Sequence, residues 1–210
     1  MWRDLANLIF VLFVVIFLWY QGANGAPAPT DEIKSAIEAV RTVLKDPNFK
    51  GEAKKDARRK ALSQALRPHF DFAEMSKRAL GGNWKRFSEA EQKEFVMVFS
   101  DFLEANYISE VESLGDERFD YSKEVIDGTY AEIRSKIRTT KGDEIKIDYK
   151  LHFSGGRWKV YDVSIENVSV VNNYRAQFNR VLERYQDDLA RGFDELIKKI
   201  KEAISRLKNR

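Results

Sequence analysis

Two histidines, His69 and His152, are the chain's only imidazoles, and neither stands in a motif that would use it for catalysis or metal binding. His69 lies between Pro68 and Phe70 just ahead of a helix and reads as a loop or capping residue. His152 falls on the charged parity of an alternating strand, so it is expected to face water. There is no G-x-S-x-G, no H-E-x-x-H and no glycine loop of the phosphate-cradling kind. LGGNWK, starting at Leu80, looks superficially like one, but its spacing is wrong and it reads as a helix stop followed by a turn. With no cysteine there is no thiol nucleophile, Cys-zinc site, disulfide or lipobox cysteine. The 33 carboxylates fall almost entirely on polar faces, so no acid–base set is legible. No catalytic residue, metal or cofactor is expected.

Charge narrows the field further. The 36 Lys and Arg against 33 Asp and Glu leave a net charge of +3, with the two signs alternating almost everywhere. A nucleic-acid binder concentrates its basic excess into a patch, so DNA and RNA are not expected partners. The surplus lies instead in large apolar side chains, among them 14 Phe and 8 Tyr.

The elements that carry those side chains begin after an apolar run from Leu5 to Tyr20. A run of about 16 residues falls between a signal-peptide core and a bilayer span. The small residues of QGANGAP suit cleavage after Gly25, so residues 1–25 are expected to be a signal peptide, with an uncleaved anchor as the alternative. Export is expected either way. The mature chain, 26–210, is expected to be one domain.

Thr30 is the expected N-cap of a first helix, whose Ile33, Ile37, Val40 and Leu44 recur at helical spacing as far as Asp46-Pro47. A second helix runs from Lys54 to Leu66. Asp71 and Glu74 open a short one that ends at Gly81-Gly82, and Ser88 with Glu91 makes a capping box for the longest. From Phe119 the period becomes two. The runs Tyr130–Arg138 and Ile145–Phe153 alternate, and Ser154-Gly155-Gly156-Arg157 turns into a third strand. There Tyr161, Val163 and Ile165 are odd-numbered, whereas Val168 and Val170 are even-numbered. Because one residue of slip reverses every side chain, Glu166-Asn167 must hold a bulge or turn. Asn172 or Asn173 is then the expected cap of a helix carrying Tyr174, Phe178, Val181 and Leu182. Gly192 interrupts before a Lys-rich closing helix.

The organisation is thus a helical part (30–114), a sheet (118–171) and C-terminal helices (173–208). The expected class is α+β, a curved antiparallel sheet of about four strands covered by several helices, with an apolar cavity between the layers.

Two stretches, FDFAEMSKRALGGNWKRFSEAEQKEFVMVFSDFLEANY from Phe70 and RWKVYDVSIENVSVVNNYRAQFNRVL from Arg157, resemble the MlaC (toluene-tolerance) family of periplasmic phospholipid-binding proteins. The distinctive parts are F-D-F before a Met-bearing helix, L-G-x-x-W, and W-x-V-Y-D-V leading to V-x-x-V-N-N-Y-R-x-Q-F. The resemblance spans roughly residues 30–200. It implies a soluble carrier, expected to be monomeric, that holds a phospholipid by its tails. Such a carrier exchanges the lipid between an outer-membrane lipoprotein complex and an inner-membrane ABC transporter bearing an MCE-domain ring, so maintaining outer-membrane lipid asymmetry.

The candidate cavity residues are Phe95, Phe99, Phe102, Leu103 and Tyr107 on the long helix, and Ile147, Tyr149, Leu151, Val163 and Ile165 on the sheet. Val168, Val170, Tyr174 and Phe178 complete the set, and Arg175 or Lys85 could meet a lipid phosphate. Two alternatives remain at this point. An envelope enzyme on a similar fold would need an inward-facing Asp or His, and an adaptor would have a fully packed interior.

Overall fold

The computed structural model describes residues 27–115, 117–140 and 142–209; the expected signal peptide, 1–25, lies outside them. Among the described residues no helix is long and apolar enough to cross a membrane.

Helix α1 (Pro29–Lys45) buries Ile33, Ala36 and Val40 on one stripe. Its N-cap is Ala28 rather than the expected Thr30, which falls inside the first turn. The orphan amide of Thr30 is satisfied from another element: its N–H donates to the Glu124 carboxylate at 2.8 Å, and its hydroxyl donates to the same oxygen. Helix α2 (Lys55–Leu66) turns Leu62 fully inward. It is clamped to the far end of the long helix through Arg58 and Arg59, which both bond Glu112. Helix α3 (Phe72–Leu80) is capped by Asp71, and α4 (Glu89–Glu112) opens on the full Ser88–Glu91 capping box.

Five strands follow in sequence order as one open antiparallel sheet: β1 (Arg118–Asp127), β2 (Tyr130–Arg138), β3 (Glu144–Ser154), β4 (Arg157–Ile165) and β5 (Val168–Ser169). Along β4 and β5 two features shift the alternation, where one was expected; β1 carries a further register shift between Tyr121 and Lys123. Lys150 pairs with Asp162 but Leu151 pairs with Val160, so Tyr161 is an extra residue in a β-bulge. The bulge puts Trp158 and Val160 on the same face as Val163 and Ile165. Tyr161 therefore does not join Val163 and Ile165, as strict alternation suggested. It faces the other side, its ring 6.0 Å from Tyr130 and 5.9 Å from His152, with the Arg78 guanidinium 4.0 Å above it. The second shift is the expected turn. Glu166 and Asn167 both have positive φ (48° and 65°), as a two-residue type I′ hairpin loop requires, and Ile165 pairs with Val168 across it.

Helix α5 (Val170–Leu182) starts earlier than expected, and its cap is Ser169 rather than Asn172 or Asn173. The Ser169 hydroxyl accepts from the Asn172 amide at 3.0 Å and donates to Asp162 at 2.7 Å. Asp162, buried in β4, also accepts from the Val171 amide at 3.1 Å, so this carboxylate ties β4 to the first turn of the helix. Helix α6 (Leu189–Lys208) takes Gly192 into its first turns rather than starting after it. A Cβ there would stand 2.9 Å from the Tyr185 Cβ, so this close approach of helix to preceding turn needs glycine.

The buried apolar residues form two clusters. One joins α3, α4, α5 and α6; the other lies between α1 and the sheet face carrying Ile133, Leu151 and Val160, called the inner face below.

Candidate functional site

The inner face is built from cross-strand pairs. Ile147 of β3 pairs with Ile165 of β4, Ile165 with Val168 of β5, and Tyr149 with Val163. Leu151 has no accessible surface, whereas Ile147, Tyr149, Val163 and Ile165 are half-buried. Tyr149 is enclosed on the central strand deeply enough that burial, aided by the neighbouring Tyr121, pushes its phenol well above the ordinary tyrosine value. Its side chain nevertheless keeps accessible surface.

The helix-side candidates divide in two. Phe95 and Phe99 have no accessible surface and belong to an aromatic stack with Tyr174 and Phe178, at centroid distances of 5.3–5.6 Å. Leu103 and Val170 are buried with them, Val170 as the first residue of α5 rather than as a strand residue. Phe102 and Tyr107 pack on the edge of this stack and remain half-buried. Helix α4 packs chiefly against α6, α3 and α2. Val163 packs against both clusters, as does Phe70, so Val163 marks where sheet and helix layer meet.

Val168 departs from expectation. It shares the inner face through its pair with Ile165, but it is 59% exposed, because the two-residue β5 forms the rim of the sheet. Arg175 also differs: its Nε donates to the Arg78 carbonyl at 2.6 Å, tying α5 to α3. Lys85 is exposed on the turn after α3.

Both histidines differ from their expected roles. His69 is buried, with Nδ1 2.7 Å from Glu32, and Arg157 donates to the same Glu32 oxygen at 2.6 Å. His152 is not a solvated strand residue, since its Nε2 lies 2.8 Å from the Asp71 carboxylate that caps α3. Neither pairing is legible in the sequence, because the partners are 37 and 81 residues apart. Asp162 could have been suspected as a polar residue inside an apolar strand. Among the described residues no group of acidic or histidine side chains is arranged to hold a metal ion.

A second feature lies at the opposite edge of the sheet, between α1 and β1. It is a cleft of about 250 Å³ floored by Ile37, Phe119 and Tyr121 and rimmed by Lys34, Glu38, Arg41 and Arg118. Burial outweighs the nearby Arg41 cation and pushes the Tyr121 phenol up to about 12.

An open antiparallel sheet with helices packed against it is an α+β fold. A family model described as MlaC protein matches residues 34–202, and the chain belongs to that family. Toluene tolerance protein ttg2D of Pseudomonas putida is 24% identical over 177 residues, covering 80% of each chain. A phospholipid-binding protein from Ralstonia solanacearum, solved in complex with a phospholipid, superposes with a TM-score of 0.74 at 22% identity. The superposition covers 86% of this chain and 99% of that one, and it shows that the two share a fold.

Proposed function

We propose that this chain is a periplasmic phospholipid carrier that holds one diacyl lipid with its tails between the inner face of the sheet and the helices. The observation that carries this reading is the set of half-buried apolar side chains on the inner face, Ile147, Tyr149, Val163 and Ile165, of which Val163 also touches the helix cluster. Membership of the MlaC family and the lipid complex of the Ralstonia relative support it.

The physics favours a carrier over free diffusion. At about 0.8 kcal/mol per methylene, two chains of about 16 carbons each lose on the order of 20–25 kcal/mol on entering water. A protein that crosses the periplasm with such a lipid needs a dry pocket and no reactive group. The buried ionisable side chains agree with that role: Glu32, His69 and Asp162 are all engaged in bonds that join elements.

The carrier is proposed to collect and deliver lipid at an outer-membrane lipoprotein complex and an inner-membrane ABC transporter with an MCE-domain ring, so maintaining lipid asymmetry. Native mass spectrometry and organic extraction of the purified protein test the binding. The expected result is one co-purifying diacyl phospholipid per chain. Absence of phospholipid, with no uptake from labelled vesicles, would refute it.

A further inference from the structure

The outer face of the sheet, opposite the one carrying Ile133 and Leu151, is where Arg78 of α3 comes to rest. Register sets Tyr130 beside His152 and His152 beside Lys159. The next row of the same face runs from Val125 through Glu132 and Lys150 to Asp162. The Arg78 guanidinium carbon stands 4.0 Å above the Tyr161 ring and 5.7 Å from the Tyr130 ring. Its Nε donates to Glu74 at 2.8 Å, and its backbone carbonyl accepts from Arg175 at 2.6 Å. The side chain is thus held at its base, at Nε and against two rings, while both terminal nitrogens have no partner among the described residues. Such a fork suits a carboxylate through two parallel bonds. Because the rings and Glu74 already restrict it, little conformational freedom remains to be lost on binding.

The neighbouring charges select the sign of the ligand. Asp71 is engaged with His152, Asp162 with the first turn of α5, Glu74 with Arg78 and Lys77, and Glu132 with Arg134. Lys150 and Lys159, half-buried on the same face, make no ion pair among the described residues. Asp127, paired with Tyr130 across the β1–β2 turn, is the acid left over. Two free lysines and an open guanidinium fork therefore stand against one free aspartate. Beside them Tyr130 is 45% exposed and Val125 44%. Arg and Tyr next to exposed apolar surface have the composition of a protein-binding hot spot. A bilayer surface fits less well, since it calls for a cluster of at least about four cations, and here acids interleave with them.

We infer that Arg78, Tyr130 and Val125 form the hot spot through which the carrier docks on its membrane-bound protein partners. Arg78 takes an Asp or Glu side chain of the partner bidentately, and Tyr130 and Val125 pack against an apolar residue beside it. This rests on the carrier reading for the existence of such partners, and adds where they meet and by what chemistry. Lys150 and Lys159 steer the approach.

The test passes the purified, lipid-loaded chain over the immobilised inner-membrane complex with its MCE-domain ring, and over the immobilised outer-membrane lipoprotein complex. Arg78→Gln should weaken binding to at least one of them by about thirtyfold, the size of a hot-spot truncation, and Tyr130→Ala by about tenfold. Arg78→Lys should recover little of the loss, because an ammonium keeps the charge but not the fork. The Lys150→Gln/Lys159→Gln double variant should slow association a few-fold and flatten its salt dependence, with dissociation unchanged. Arg206→Gln, exposed on α6, controls for charge alone and should bind like the parent. Every variant should keep the parent's phospholipid load, which reports that it is folded. Undiminished binding of Arg78→Gln to both complexes, full rescue by Arg78→Lys, or an equal loss in Arg206→Gln would overturn the assignment. So would a lipid-loaded parent that binds neither complex, or one that uses Arg78 to bind phosphatidylglycerol vesicles instead. A parent chain devoid of phospholipid would refute the carrier reading itself.

Discussion

His152 Nε2 lies 2.8 Å from Asp71 Oδ2, a bond between the end of β3 and the N-cap of α3. The same aspartate accepts from the Glu74 amide at 2.8 Å, and its own amide donates to the Val160 carbonyl at 2.8 Å. One residue therefore fastens α3 to two adjacent strands.

Acid should loosen that fastening. Burial alone would raise the Asp71 pKa, but the Glu74 amide, His152 and Lys159 together bring it below the ordinary carboxylate value. A group whose pKa folding lowers contributes fully above its unfolded value, near 3.9, and the contribution disappears as pH falls through the folded value. Asp71→Asn should therefore flatten the fall of Tm below about pH 4, because an asparagine can still cap α3 without titrating. Asp71→Ala should cost about 1 kcal/mol or more at neutral pH through loss of the cap. Thermal melts across pH read both, and an unchanged acid limb in Asp71→Asn would contradict the first.

Glu32 joins three elements through one oxygen, shared by His69 and Arg157. Glu32→Ala leaves a buried imidazole and a half-exposed guanidinium without their partner, and should cost about 3 kcal/mol. Urea unfolding measures this as a lower midpoint at unchanged slope. A loss under about 0.5 kcal/mol would place the Glu32 bonds among the ordinary surface ion pairs.

Gly192→Ala should destabilise although alanine is the better helix former. The new methyl would lie 2.9 Å from the Tyr185 Cβ, and such overpacking costs about 1–3 kcal/mol against about 1 kcal/mol gained in propensity. Tm readings decide the sign.

The sequence disclosed what is local and periodic. The Ser88–Glu91 box, the Asp71 cap, the alternation of β2 and the turn at Glu166-Asn167 all depend on neighbours within a few residues. What it did not disclose depends on distant partners. Nothing near His69 or His152 announces Glu32 or Asp71. The Tyr161 bulge stayed hidden because Tyr161, Val163 and Ile165 keep perfect odd parity on paper, while register with Lys150 assigns Tyr161 to the other face. The candidate site was legible as a set of apolar residues, but not in its depth. Phe99 and Tyr149 look alike in sequence, yet one is sealed in an aromatic stack and the other keeps accessible surface.

Where the tails lie is tested most directly by photo-cross-linking. A photoreactive phenylalanine analogue at Val163 or Tyr149 should cross-link to the acyl chains of a bound phospholipid, detected as one lipid mass added to the chain. The same analogue at Met97, 59% exposed on α4, should not. Cross-linking confined to Val163 and Tyr149 is the result this account predicts. No adduct at either position, or equal adducts at Met97, would contradict it.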